Sequence, residues 1–330
     1  MPHLENPFRQ PILPPEQTDP EANAVLADTL LGKEYGDALR SLDGNTKSET
    51  PKLDDMGDMS LNEEERGMAE KSKEVSLLEA ELIMGKEYFF GPKAIEQTFG
   101  FALENIPPIP FSVQELRKAK ESNQILRLSW DAFPDGRKLT GQSMTDFLKG
   151  KQRDGASPLF EEHFNQDNSI FINETPRRGW SLVSNEIDYK NQDIFQQTNS
   201  LAEDIEDDPD FFSEFKERAK AWMRSDERTK ILELWKDYDT NCQEISHILS
   251  ESDFFKNTRD SFSEHVQYML IHNKITGERL RKGDYYCTCS CSSTNHFLAI
   301  GYFAFDGARV RMSRPWTSEG LMGTSLSLRG

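Results

Sequence analysis

The chain has 330 residues, 57 acidic against 39 basic, a formal net charge of -18 and a mean hydropathy of -0.70. That length holds two domains at most, and the charge repels phosphate backbones and anionic lipid, so nucleic acid is not an expected partner. No stretch approaches the roughly 18 apolar residues of a spanning helix, and MPHLENPFRQPILPPEQ has no basic region followed by an apolar run. A cytoplasmic chain without membrane insertion is expected.

Pro2, Pro7, Pro11, Pro14, Pro15 and Pro20 remove backbone donors, so the start is expected to be extended and mobile. From Glu21 to Leu42 the spacing of Val25, Leu26, Leu30, Leu31, Tyr35 and Leu39 predicts a helix. A linker rich in charge, Gly and Ser follows, then a second helical segment from about Leu61 to Ile83. Residues 1–84 thus read as an acidic N-terminal segment, partly disordered and partly helical, and 85–330 as the folded body.

Within the body, Ser112 stands three residues before Glu115, the capping-box spacing, and predicts a helix that stops near Ser122. QILRLSW then reads as a strand, FPDGRKL as a turn, LTGQSMTDFLKGK as a short helix and SLVSNEI as a further strand. Apolar residues at helical spacing run from about Leu201 to His272, with AEDIEDDPD read as a solvated lead-in. The last fifty residues alternate small and aromatic side chains, carry FDGA as a hairpin signal and end in a strand, TSLSLR. The fold class is α+β, with an antiparallel β unit at the C-terminus.

Cys287, Cys289, Cys291 and His296 have the residue types of a zinc site without its usual spacing. Thiols on one face of a strand stand about 6.5–7 Å apart, too far for tetrahedral zinc unless the segment curls into a loop. His3, His163, His247, His265, His272 and His296 sit in no recognisable catalytic frame, and there is no G-x-S-x-G, H-E-x-x-H, P-loop or G-x-G-x-x-G. Glu174, Arg177 and Arg178 fit an ion pair that fixes the loop before Trp180 at least as well as an anion site. No cofactor and no metal are expected.

From Asp284 to Arg311, 28 consecutive residues lack Lys, Glu, Gln, Met and Trp, types that make up about a quarter of the chain. Those five are the residues that a codon ending in a pyrimidine cannot encode. Random replacement of the adenines in Asn codons (AAY) produces such a tract, and YYCTCSCSSTNHF contains only residues it yields. An ordinary Ser/Thr/aromatic hairpin is the alternative.

FFGPKAIEQTFG, IPPIPFSVQELRKAKESNQILRL, FINETPRRGWSLVS and TGERL resemble blocks of an uncharacterised family abundant in small-genome bacteria of candidate phyla. Its tail pattern matches Ile300, Gly301, Phe303, Asp306, Gly307, Val310, Pro315, Gly323 and Arg329. That tail (about 284–330) in turn resembles the variable region of proteins diversified by retroelements, which adopt a C-type-lectin-like fold. The resemblance implies a scaffold of Gly301, Phe303, Gly307, Val310, Gly323 and Arg329. It implies an exposed ligand-binding face of Tyr286, Ser290, Cys291, Ser293, His296, Tyr302, Ala304, Phe305, Arg309, Arg311, Ser313 and Trp316, with Trp316 fixed or outside the diversified codons because no pyrimidine-ending codon encodes it. Such folds pair an early strand with the last, so QILRLSW is the expected partner of TSLSLR, with the helical segment as an elaboration. The expectation is a non-enzymatic binder of a macromolecule, chiefly protein. A structural or assembly protein, and a hydrolase or metal-binding protein using the Cys/His tail, are the alternatives.

Overall fold

A computed structural model describes residues 75–149, 169–184, 193–208, 211–280, 285–292, 296–304, 307–313, 322–323 and 327–329. The helix expected over 21–42 and the linker after it lie outside these residues. Of the segment expected from Leu61, the last part is helix α1 (Leu77–Met84), capped by Ser76. Val75, Ala80 and Met84 are buried and Val75 bridges Ile109, so the folded core begins ahead of the Gly85 boundary.

The first sheet is built from strand β1 (Phe89–Phe90), β2 (Gln124–Ser129), β3 (Gly179–Ser184) and β8 (Ser327–Arg329), in the order β1-β2-β3-β8. β1 runs parallel to β2, and β3 is antiparallel to both β2 and β8. The C-terminal strand therefore joins early strands, but its partner is β3 and not QILRLS. The two edges of β2 are already occupied by β1 and β3, which leaves β2 no edge for β8.

Helix α2 (Pro92–Phe99) follows β1, with Pro92 at its first turn, where a missing N–H costs nothing, and Gly100 closing it at φ +76°. Helix α3 (Val113–Glu121) opens on the expected capping box between Ser112 and Glu115. The turn at Phe133–Gly136 and helix α4 (Gly141–Lys149) stand where the sequence puts them. A short helix α5 (Ser169–Asn173) precedes β3.

Helices α6 (Ile194–Asp207), α7 (Ser213–Met223), α8 (Asp226–Leu234), α9 (Tyr238–Glu251) and α10 (Asp253–Asn257) form the helical layer. α6 starts before the expected Leu201, because Asp193 caps it by accepting from the N–H groups of Phe195 and Gln196. The acidic run is thus the end of α6 and not a lead-in. Ala202 and Ile205 continue its buried stripe between the carboxylates, and Lys216 Nζ answers the C-terminal carbonyl charge by donating to Asp208 O at 2.6 Å.

The second sheet has the order β6-β5-β4-β7, with β4 (Tyr285–Cys291), β5 (Phe297–Ala304), β6 (Gly307–Ser313) and β7 (Met322–Gly323). β5 and β6 are the antiparallel hairpin signalled by FDGA, closing at Ala304↔Gly307. β4 was expected to be exposed, yet Tyr286 to Ser290 are all buried. The reason is packing: α9 and the last helix, α11 (Phe262–Thr276), both lie against β4.

Every residue of α11 from Phe262 to His272 is buried, and the helix packs on α2, α4, α5, β2, β4 and β5. A helix enclosed this way should be apolar all round, but this one carries Ser263, Glu264, His265 and Gln267. Each must find a partner or cost free energy. Gln267 shows how: its Oε1 accepts from Trp130 N at 3.0 Å and its Nε2 donates to Trp130 O at 2.9 Å, so the amide extends the hydrogen bonding of the chain just beyond β2. Replacing Gln267 with Leu strands that peptide and should lower unfolding free energy by about 2–4 kcal/mol. Urea denaturation measures it, and a loss below about 1 kcal/mol would show that the amide does not hold α11 to the sheet.

Candidate functional site

The loop Thr258–Ser261 between α10 and α11 joins the two sheets through one residue, Asp260. Asp260 is fully buried. Its Oδ1 accepts from Arg127 Nη2 of β2 and, at 2.7 Å, from Ser327 Oγ of β8. Its Oδ2 lies 3.1 Å from His265 Nδ1, which carries the proton because a carboxylate can only accept. Its N–H donates to Tyr286 Oη at 2.9 Å, and its carbonyl accepts from Cys289 N at 2.8 Å, inside the irregular stretch of β4 between Cys287 and Cys291. The Tyr286 ring lies flat on His265, centroids 4.0 Å apart. Arg127 Nε also donates to Ser181 Oγ of β3. One residue thus fixes three strands and a helix.

Glu264, one turn on, does the same for the C-terminus. It accepts from Arg177 N, Nε and Nη2 at 2.8–3.0 Å, from Ser261 N as half of a capping box, and from Arg329 Nη2. Arg329 Nη1 returns to Arg177 O at 2.9 Å. Arg177 is ion-paired as expected of its segment, but its anion is Glu264 and not Glu174. Glu174 instead takes Ser263 N at 2.9 Å and Ser290 Oγ at 2.5 Å, while Ser290 Oγ accepts from Phe262 N.

Burial raises all three carboxyls, and the neighbours decide the outcome. For Asp260 the Arg127 charge, with His265 and Ser327, overcomes burial and holds the group well below the ordinary range. For Glu264, Arg329 and Arg177 do so. Glu174 has hydroxyl and amide donors only, and burial keeps it raised. Burial also pushes the Cys287 and Cys289 thiols up to about 12 and Cys291 to about 11, so all three are protonated at neutral pH. No group of three or more His, Cys, Asp or Glu positioned to hold a metal ion exists among the described residues.

The expected ligand face divides. Tyr286 and Ser290 were placed on it and do not belong there: their side chains are buried, their oxygens bound to Asp260 N and to Glu174 and Phe262 N. Cys291 and His296 are half-exposed. Arg309, Arg311 and Ser313 fall at alternate positions of β6, opposite Gly301, Ala299 and Phe297. Tyr302 and Ala304 fall on β5. Of the expected scaffold, Gly301 is buried, Val310 half-buried and Arg329 locked in the ion pair with Glu264; Gly307 opens β6 and Gly323 pairs with Tyr286. Ser293, Phe305 and Trp316, and the side chains of Tyr302, Phe303, Ala304, Arg309, Arg311 and Ser313, lie outside the described residues.

Sequence reasoning missed Asp260, Glu264 and the role of His265. A signal existed: Ser261 and Glu264 have the same capping-box spacing as Ser112 and Glu115, directly ahead of an apolar run. Comparison with protein-family models, curated proteins and solved structures finds no match for this chain. Among the described residues, no helix is long and apolar enough to cross a membrane.

Asp260→Asn keeps the shape and leaves Arg127 facing a neutral amide, so it should cost about 3–5 kcal/mol at neutral pH. The sign with pH follows from the depressed carboxyls: the stability that Asp260 and Glu264 supply is complete above the unfolded carboxylate range, about 4, and is lost as pH falls below it. Asp193 works the other way, since burial raises it to about 6. It favours the fold most below about 4, and that contribution disappears as pH rises through its folded value. Asp193→Asn should therefore flatten the denaturation midpoint between pH 4 and 6 while leaving the acid limb in place. An unchanged slope there would contradict the assignment.

Proposed function

We propose that this chain is a non-enzymatic binding protein of the cytoplasm, with a lectin-like C-terminal module that displays a retroelement-diversified surface to a macromolecular ligand, chiefly protein. One observation carries the reading. The hydrogen bonds and ion pairs of Asp260, Glu264 and Glu174 go to β2, β4, β8, α11 and the segments around them, and among the described residues none goes to β6. The frame that fixes the fold is separate from the strand on which the remaining face positions fall.

Such a separation is what a diversified surface requires. On this reading substitutions on β6 leave the described partners of Asp260, Glu264 and Glu174 in place, whereas substitutions at Tyr286 or Ser290 of β4 remove one. The last strand closing a sheet of early strands agrees with a lectin-like arrangement. Tyr, His and Arg offer broad contact area, and Ser offers adaptable hydrogen bonding, as in antibody loops. The face is accordingly narrowed to Cys291, Ser293, His296, Tyr302, Ala304, Phe305, Arg309, Arg311, Ser313 and Trp316.

Two libraries test the division. One randomises Tyr302, Ala304, Arg309, Arg311 and Ser313 with residues of pyrimidine-ending codons; the other does the same at Tyr286, Thr288 and Ser290. Protease resistance of the displayed pools should survive in most members of the first library and in few of the second. Equal losses in both would remove the basis for a display surface on β6. Within the second, Tyr286→Phe isolates one hydrogen bond and should cost about 1–3 kcal/mol by leaving Asp260 N–H without its acceptor.

A further inference from the structure

Arg259 stands next to Asp260 and is itself 1% exposed. Its carbonyl is held by Arg177 Nη2 at 3.0 Å and by the Cys289 thiol at 3.7 Å, which fixes the backbone and sends the side chain inward, away from the ion pairs. There its Nη2 donates to Thr198 Oγ1 of α6 at 3.3 Å, and its guanidinium carbon lies 4.8 Å from the centre of the Phe255 ring of α10. Its Nε and Nη1 are buried with no hydrogen-bond acceptor among the described residues. No carboxylate pairs with it.

This arrangement sets Arg259 apart from the other arginines around the site. Arg127 has Asp260, and Arg177 and Arg329 have Glu264. A guanidinium stays charged in a protein, and the attraction of one aromatic face is smaller than the cost of stripping its water. The ionisable groups that act on it are Cys287, Tyr286 and Cys289 of β4. Burial raises all three, so at neutral pH they are uncharged. Among the described residues, the core around Arg259 therefore holds one positive charge, two guanidinium nitrogens without an acceptor and no protein anion.

We propose that Arg259 binds a small inorganic monoanion, chloride in ordinary salt, within the core between α6, the α10–α11 loop and β4. One negative charge balances the guanidinium, and a close-packed interior walled by Phe255 admits no large organic anion. The ion is structural: it neutralises a charge at the root of the loop that positions Asp260, so occupancy and folding are linked.

The test is an exchange of chloride for gluconate on the full chain at constant ionic strength, read as the urea midpoint. The midpoint should rise with chloride and should rise likewise with bromide. At free halide about 100 times Kd the folding equilibrium shifts about 100-fold. Crystals soaked in bromide should show an anomalous peak against Arg259 Nε and Nη1. Identical midpoints in chloride and gluconate, with no anomalous peak, would overturn the proposal. Arg259→Met should abolish the halide dependence, and if the variant folds and keeps that dependence the site lies elsewhere and the proposal fails. If the variant does not fold, the midpoint and bromide measurements on the unaltered chain still decide.

Discussion

The fold depends on taking two carboxylates, Asp260 and Glu264, entirely out of water at the head of a buried helix. Neither could stay ionised there alone, since desolvation outweighs anything a single hydrogen bond returns. Their counter-charges come from segments far apart in the chain, Arg127 on β2, Arg177 ahead of β3 and Arg329 on β8, and His265 of the helix adds a hydrogen bond to Asp260. The pairs form only when the first sheet, the α10–α11 loop and the C-terminal strand are all in place. A network of this kind contributes specificity more than raw stability, because any arrangement lacking one member leaves a buried charge exposed to no partner.

That constraint assigns the parts of the tail to different work. β4 enters the network through Tyr286 and Ser290, and its backbone through Cys289, so it belongs to the core although its composition is small and polar. β8 enters through Ser327 and Arg329. Among the described residues, β6 contributes no partner to these groups and stands at the edge of its sheet. Tolerance to substitution should therefore be uneven along the tail, low at both ends and high between them, and the proposed binding face rests on that unevenness.

Elements set by local chemistry were legible in the sequence. Ser112 and Glu115 cap α3, Asp135 and Gly136 make the turn before α4, and Asp306 and Gly307 mark the β5–β6 hairpin; each signal acts within four residues. What depended on distant partners was not. The last turns of α6 were hidden because their carboxylates mask the buried stripe of Ala202 and Ile205. The burial of β4 was missed because Thr288 and Ser290 read as solvent-facing, while their hydroxyls are satisfied inside, on Leu298 O and on Glu174. The pairing of β8 with β3, and of Asp260 with Arg127, leaves no trace in spacing or composition.

Sequencing the 3′ end of this gene across a natural population tests the central claim most directly. The account predicts substitutions concentrated between Cys291 and Ser318, falling at adenines of a nearby invariant template copy, and sparing Tyr286, Thr288, Ser290 and Arg329. Variation spread evenly along the body, with no template copy, would contradict a diversified binding surface and leave β6 as an ordinary edge strand.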